Sequence, residues 1–387
     1  MATNQQQVLI SPAELAYLHA SLSLSPEPIR PDGRSSTQFR PLVAETDILP
    51  GTNGSARICF ADGSEAIVGV KVEVEKTKPK AGAMINPEEG KEEKGDTGVE
   101  GGGGFDDDKK NYSNDWVELA VDIPGHRDDD PGTAFLGNMI LEALLEDGEL
   151  VKRLRINSRF HWKMYLDVLL ISQPLSYPLP LLSLTTHLAL LSTRLPCLIS
   201  EGDEDPMFDD DWAASTNLYP PRGEKSKLST SRPPITLLVM SVGHSILFDP
   251  TYEELAVADA VLAVSVSEEP TKPVPQDTIA TPKQAKDRAL RLLSIRSIDP
   301  PSRITPPGVP NGLNPATNGE VAGLQPKHAE ARTAEVPATE GVWKAPRGGV
   351  SRSVLSAMVF KALEKGGVAD EVLDGLQGVE MASEILE

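Results

Sequence analysis

The chain has 387 residues, a formal net charge of -20, 39% hydrophobic and 5% aromatic residues, 33 prolines and 31 glycines. That length suits one large domain or two small ones, with part of it spent on linker. An acidic chain has no long-range attraction for RNA or DNA phosphates, which comes from clustered Lys and Arg, so any role on nucleic acid requires partners that supply the charge.

The opening "MATNQQQVLI" lacks the basic start and apolar run of a secretory signal. Residues 164–199 form the one strongly apolar region, but Asp167, His187, Pro174, Pro178 and Pro180 interrupt it. No unbroken run approaches the roughly 20 residues of a bilayer span, so no membrane association is expected. Cys59 and Cys197 stand far apart in apolar segments without zinc-site spacing, and read as two reduced core thiols of an intracellular protein.

In chain order, "SPAELAYLHASLSLS" at 11–25 predicts a short helix with Ser-Pro at its start and Glu14 in its first turn. Residues 55–60 and 65–73 predict a β-hairpin turning at Ala61-Asp62-Gly63. Residues 76–111 exchange aliphatic side chains for charges and glycines, the composition of a disordered insertion. Gly101 to Gly104 precede acids, not a Lys-Ser/Thr pair, so they are no phosphate-cradling loop.

A strand is predicted over 116–123 and a helix over 133–146, with Asp128 to Asp130 at its positive end. Residues 153–173 predict two strands joined near Asn157-Ser158. "LPLLSLTTHLALLSTRLP" then reads as a helix apolar nearly all round and therefore buried, with His187 a satisfied core histidine. Residues 201–232 read as a second acidic, loop-like insertion.

"ITLLVMSVGHSILFDP" predicts a hairpin turning at Gly243-His244, and "AVADAVLAVSVSE" another strand. Residues 268–350 read as a Pro-rich linker with a helical patch near 282–293, and 351–387 as two short helices broken at Gly366-Gly367. The elements alternate without the strict rhythm of a parallel sheet, so an α+β domain is expected.

Three stretches carry candidate chemistry. "ILFDPTYEELAV" at 246–257 gathers Asp249, Glu253 and Glu254 at the end of a buried strand, as a magnesium site for phosphate chemistry would. The favoured reading of these residues is a strand end and turn with the two glutamates solvated. Arg153, Arg155, Arg159 and Lys163 form the densest basic patch, a candidate for RNA contact or simply the solvent face of a strand pair. Residues 128–149 contain no Lys or Arg.

Residues 29–75 resemble the opening of RNase PH-like proteins, with Asp-Gly-Arg at 32–34, Arg40-Pro41, Gly-Ser-Ala at 54–56 and Gly-Val-Lys at 69–71. "LRINSRFHWKMYLDVLLI", "LLSTRLP" and "ILFDPTYEELAVADAVLAVSVS" match in order, most closely the eukaryotic exosome ring subunits. The resemblance implies an α+β RNase PH fold, similar to the second domain of ribosomal protein S-five. It covers a single domain at 29–267, preceded by a helix and arm at 1–28 and completed by 351–387.

It further implies a six-subunit ring of RNase PH-like subunits, capped by proteins with OB and KH folds. RNA is threaded through this ring to an exosome-associated nuclease, in the nucleus, nucleolus and cytoplasm. In active relatives two aspartates six residues apart face a metal, and helix-borne arginines bind substrate phosphate. Here those positions fall on Asp249 and Leu255, and the phosphate-binding helix has no basic residue. Tyr177-Pro178-Leu179-Pro180 replaces the Gly-Asn and Asp-Ala that precede the long buried helix in the family.

The resemblance therefore implies a degenerate site around Asp249 and Leu255, no metal or other cofactor, and a non-catalytic subunit. The alternatives are an active phosphorolytic exoribonuclease and, from another class, a free-standing acidic adaptor using the Pro-rich segment as a platform.

Overall fold

The computed structural model describes residues 10–77, 112–127, 130–172, 175–200, 202–220, 231–269, 289–304, 342–346 and 350–386. The first helix, α1 (Pro12–Leu22), starts at Ser11 with a reciprocal capping box to Glu14. A loop then leads to β1 (Leu42–Thr46) and the expected hairpin of β2 (Gly54–Phe60) and β3 (Glu65–Lys76). Gly63 at φ +86° takes the left-handed position of the Asp-Gly turn.

With β4 (Val117–Asp122) and β5 (Phe160–Leu170) these strands make a five-stranded sheet in the order β1-β2-β3-β5-β4. Only the β4–β5 pair is parallel. Between those two strands run α2 (Pro131–Leu145) and α3 (Glu149–Arg153). Asp130 caps α2 by accepting from the N–H groups of Gly132 and Thr133. Asp128 and Asp129, expected beside it, lie outside the described residues.

The buried helix α4 (Leu179–Leu191) follows, with every side chain buried, as its all-round apolar sequence requires. It packs against β2 and β3 and also against β8 (Ile235–Val242). His187 Nδ1 lies 2.8 Å from the Pro233 carbonyl, an acceptor only, so that nitrogen carries the proton. Close packing here also explains Gly54, where a Cβ would stand 2.6 Å from the Thr193 Cα.

β8, β9 (Ser245–Phe248), β10 (Ala260–Glu268) and β11 (Leu290–Ile298) form an antiparallel second sheet in the order β11-β10-β8-β9. The short helix α5 (Tyr252–Leu255) links β9 to β10. Two C-terminal helices, α6 (Arg352–Ala362) and α7 (Val368–Leu386), follow, with Met358 and Leu376 in the main core. The molecule is thus layered: first sheet, helices, second sheet, and finally α1 on that sheet's far face. The α+β expectation holds.

Four expectations are corrected. The 268–350 region is not all linker: 290–298 is strand β11, paired with β10, and it takes in the end of the helical patch expected at 282–293, the first part of which lies outside the described residues. Trp343 in the same region is buried against α1 and β8. Residues 153–173 hold one long strand, not two, because Arg153 ends α3 and only a single bridge, Arg155 to His161, precedes β5.

The 201–232 stretch is not purely a loop, since β7 (Thr216–Asn217) pairs with β6 (Arg194–Leu195), and Leu218 and Tyr219 enter the core. Cys59 and Cys197 are half-buried free thiols, not core residues. No helix of the described residues is long and apolar enough to cross a membrane.

Candidate functional site

Of the three carboxylates after β9, Asp249 and Glu254 are buried, against the expectation of a solvated turn, and Glu253 alone is exposed as expected. Asp249 sits at φ +48°, a left-handed conformation that few non-glycine residues adopt but that Asp tolerates. The turn carries its side chain inward, where it is 0% exposed. Two residues later Thr251 caps α5: its Oγ1 accepts from the Glu254 N–H, and its own N–H donates to Glu254 Oε2 at 2.8 Å. That box holds Glu254 inward as well, again 0% exposed, while Glu253 faces solvent.

Three arginines from the loop between α1 and β1 meet these acids. Arg30 forks onto Glu254, Nε to Oε1 at 2.7 Å and Nη2 to Oε2 at 2.8 Å. Its Nη groups also donate to the carbonyls of Phe248 and Asp249, at 3.1 and 3.0 Å. Arg34 donates from Nη1 to Asp249 Oδ2 at 2.9 Å and from Nη2 to the Asp249 carbonyl at 3.0 Å.

Arg40 forks onto Asp249, Nη2 to Oδ1 at 2.6 Å and Nε to Oδ2 at 2.9 Å, while its backbone N–H reaches Oδ2 at 2.9 Å. Its remaining nitrogen donates to Asp62 in the β2–β3 turn and to Ser176 Oγ ahead of α4, and the guanidinium lies over the Phe60 ring. Such planar, two-pronged pairing is what makes burial of these charges tolerable.

Burial opposes the Arg40 charge, but Asp249 and Asp62 hold its guanidinium above the ordinary value. Burial likewise works against Asp32, yet hydrogen bonds from Arg34 and the charges of Arg30 and Arg34 hold its carboxyl below the usual range.

This geometry does not fit a metal. The buried Asp249 carboxylate already accepts four donors from Arg34 and Arg40, three on Oδ2 and one on Oδ1, so two guanidinium charges stand where a cation would bind. Leu255 turns away into the apolar cluster under α1, 4% exposed. Among the described residues no group of three His, Cys, Asp or Glu side chains is arranged to hold a metal ion. Where a phosphate clamp was sought, the acids of the α2–α3 region take arginines from β11: Arg296 binds Glu142, and Arg291 binds Asp147.

The four basic residues of 153–163 do not form one surface patch. Arg153 is buried over the Tyr219 ring and donates to the carbonyls of Leu218 and Ser231, because it belongs to α3 and not to a solvent-facing strand. Burial pulls its guanidinium below the ordinary value. Arg155 lies by Tyr112, Arg159 pairs with Asp205, and Lys163 bonds the Asp115 carbonyl.

Sequence reasoning singled out Asp249 and the Asp-Gly-Arg and Arg-Pro motifs but not their union. The available signal was charge balance: three arginines in a segment without helix or strand pattern, and matching carboxylates at a strand end.

Two sheets around a buried helix, with a strand-end carboxylate held by loop arginines, agree with the RNase PH-like subunit that the resemblance implied. No family model matches the chain. Exosome complex component RRP42 of Saccharomyces cerevisiae is 34% identical over 265 residues, 67% of this chain and 82% of the relative. Exosome complex component rrp42 of Schizosaccharomyces pombe is 31% identical over 272 residues, 66% of this chain and 78% of the relative. The chain belongs to the exosome complex component RRP42 family.

Among solved structures it is similar to a chain of the Archaeoglobus fulgidus exosome with RNA bound to the active site (TM-score 0.44, 16% identity, 74% of this chain and 86% of that one). It is also similar to rice Rrp46 (TM-score 0.38, 12% identity, 70% of this chain and 85% of that one). Overlaps this loose carry no argument about the site.

Proposed function

We propose that this chain is a non-catalytic structural subunit of the RNA exosome core ring, standing beside other RNase PH-like subunits and forming part of the wall past which RNA is threaded. In that role it supports 3′-to-5′ RNA processing and turnover carried out by a nuclease elsewhere in the complex. Subunits with OB and KH folds cap one face, and the complex works in nucleus, nucleolus and cytoplasm.

The observation that carries the non-catalytic reading is the Asp249 carboxylate, buried and filled by Arg34 and Arg40 donors. A metal cation there would meet the charges of both arginines at a side chain that is 0% exposed. Leu255 in the apolar cluster and the absence of Lys or Arg from 128–149 support the same reading. Among Arg153, Arg155, Arg159 and Lys163, Arg159 has the most exposed side chain, 54%, and it is paired with Asp205.

Size-exclusion of the endogenous protein tests the assignment. It is expected to elute at several times its own mass with other exosome subunits at matching stoichiometry. Elution as a free monomer points instead to the acidic adaptor.

A further inference from the structure

Residues 195–220 contain no Lys or Arg, and their described part holds Asp203, Glu204, Asp205, Asp209, Asp210 and Asp211. A free acidic loop would wander, yet this one is anchored at several points. Leu198 bridges Phe208, whose ring lies 4.9 Å from that of Trp162 in the main core. Asp203 accepts from the Ser158 N–H, and Asp205 pairs with Arg159, so the tip is fastened to the turn before β5.

That anchoring fixes what faces outward. The Ile199 N–H donates to the Met207 carbonyl at 2.8 Å and the Asp209 N–H to the Cys197 carbonyl at 2.9 Å, a short antiparallel pairing around Leu198 and Phe208. Side chains alternate along such a pair, so Ile199 and Met207 stand opposite one another on the side away from Phe208. They are 59% and 66% exposed, and Trp212 a few residues on is 48% exposed. Single exposed apolar residues are ordinary, but a cross-strand pair on a pinned scaffold amid carboxylates is not. Glu204 and Asp210 have no side-chain partner among the described residues, so their charge is available.

We infer that the Ile199–Met207 face is a docking surface for a basic segment of a partner protein that brings apolar anchors between its lysines or arginines. Charge complementarity selects this occupant. RNA, being an anion, is repelled by the same carboxylates, and an uncharged apolar partner leaves them unanswered. The inference is independent of whether the chain is catalytic.

The test is zero-length carbodiimide coupling of carboxylates to lysines in the native complex, mapped by mass spectrometry. Glu204, Asp209 or Asp210 is expected to couple to lysines of a different protein. That coupling should fall by about tenfold or more in Ile199→Ser/Met207→Ser, since two buried apolar anchors are lost. Glu204→Lys/Asp210→Lys, which leaves the apolar pair in place, should lower binding of the same partner similarly, read by its co-purification at fixed salt.

An absence of coupling, coupling to lysines of this chain alone, or coupling undiminished in the apolar variant overturns the inference. So does photo-crosslinking of thiouridine-labelled RNA to Met207 or Trp212.

Discussion

Arg40 holds the Asp249 carboxylate with both prongs of its guanidinium, Nη2 at 2.6 Å from Oδ1 and Nε at 2.9 Å from Oδ2, while its other nitrogen reaches Asp62. Asp62 lies in the turn between β2 and β3 of the first sheet and Asp249 directly follows β9 of the second, so one side chain ties the two sheets together. Asp249 is thereby part of the framework.

Removing Arg40 leaves the buried Asp249 carboxylate with Arg34 as its one charged partner. Arg40→Ala is expected to destabilise the chain by about 3–5 kcal/mol, the usual cost of breaking a buried pair from one side. Arg40→Lys should recover only part of this, because an ammonium cannot bridge both carboxylate oxygens. Denaturant unfolding of the three proteins checks both statements, and a loss near zero for Arg40→Ala contradicts them.

Arg30 and Glu254 form a second buried fork, both side chains fully inaccessible. Either single change, Arg30→Met or Glu254→Leu, should cost about 3–5 kcal/mol, while the double replacement should cost distinctly less than their sum. A double-mutant cycle with additive losses would show that the two residues do not act as a pair.

Trp343 lies 3% exposed between α1 and the second sheet, its ring edge against His19 at 6.1 Å between centroids. Trp343→Ala should cost about 3–5 kcal/mol. Hydrogen exchange should then speed up at Leu15 and Leu22 of α1, which share its cluster, and stay unchanged in β3. Equal protection of α1 in both proteins would place the Trp outside the packing.

His161 stacks on Trp116 at 4.3 Å. Burial lowers its pKa from the ordinary 6.5, with Lys163 adding to the effect and Glu75 opposing it. The folded protein thus holds the ring neutral where the unfolded chain would protonate it. The stabilisation is complete above about pH 6.5 and declines as pH falls from there through the folded value. Stability measured between about pH 5 and 7.5 should rise with pH, and His161→Gln should flatten that slope.

The parts of this fold legible in the sequence were those with local signals. The Asp-Gly hairpin, the all-apolar α4, the β8–β9 hairpin and the Gly366-Gly367 break were each readable from a few neighbouring residues. β11 was not, because it is a half-buried edge strand with a register shift opposite Ser265 and Val266, and two of its arginines serve α2 and the turn after it.

The same limit governed the site. Glu254 resembled a solvated helix charge, and only a partner 224 positions away, Arg30, reverses that reading. Arg153 resembles a surface cation when its segment is read as strand; as the last residue of α3 it is buried.

The most direct test of the central claim is phosphate-dependent release of nucleoside diphosphates from a 3′-labelled RNA, measured for the purified chain alone and within the assembled complex, with magnesium present. The account predicts no release by the isolated chain. It also predicts that Asp249→Asn lowers thermal stability without changing any phosphorolysis of the complex. Magnesium- and phosphate-dependent release that Asp249→Asn abolishes while the fold is retained would contradict it.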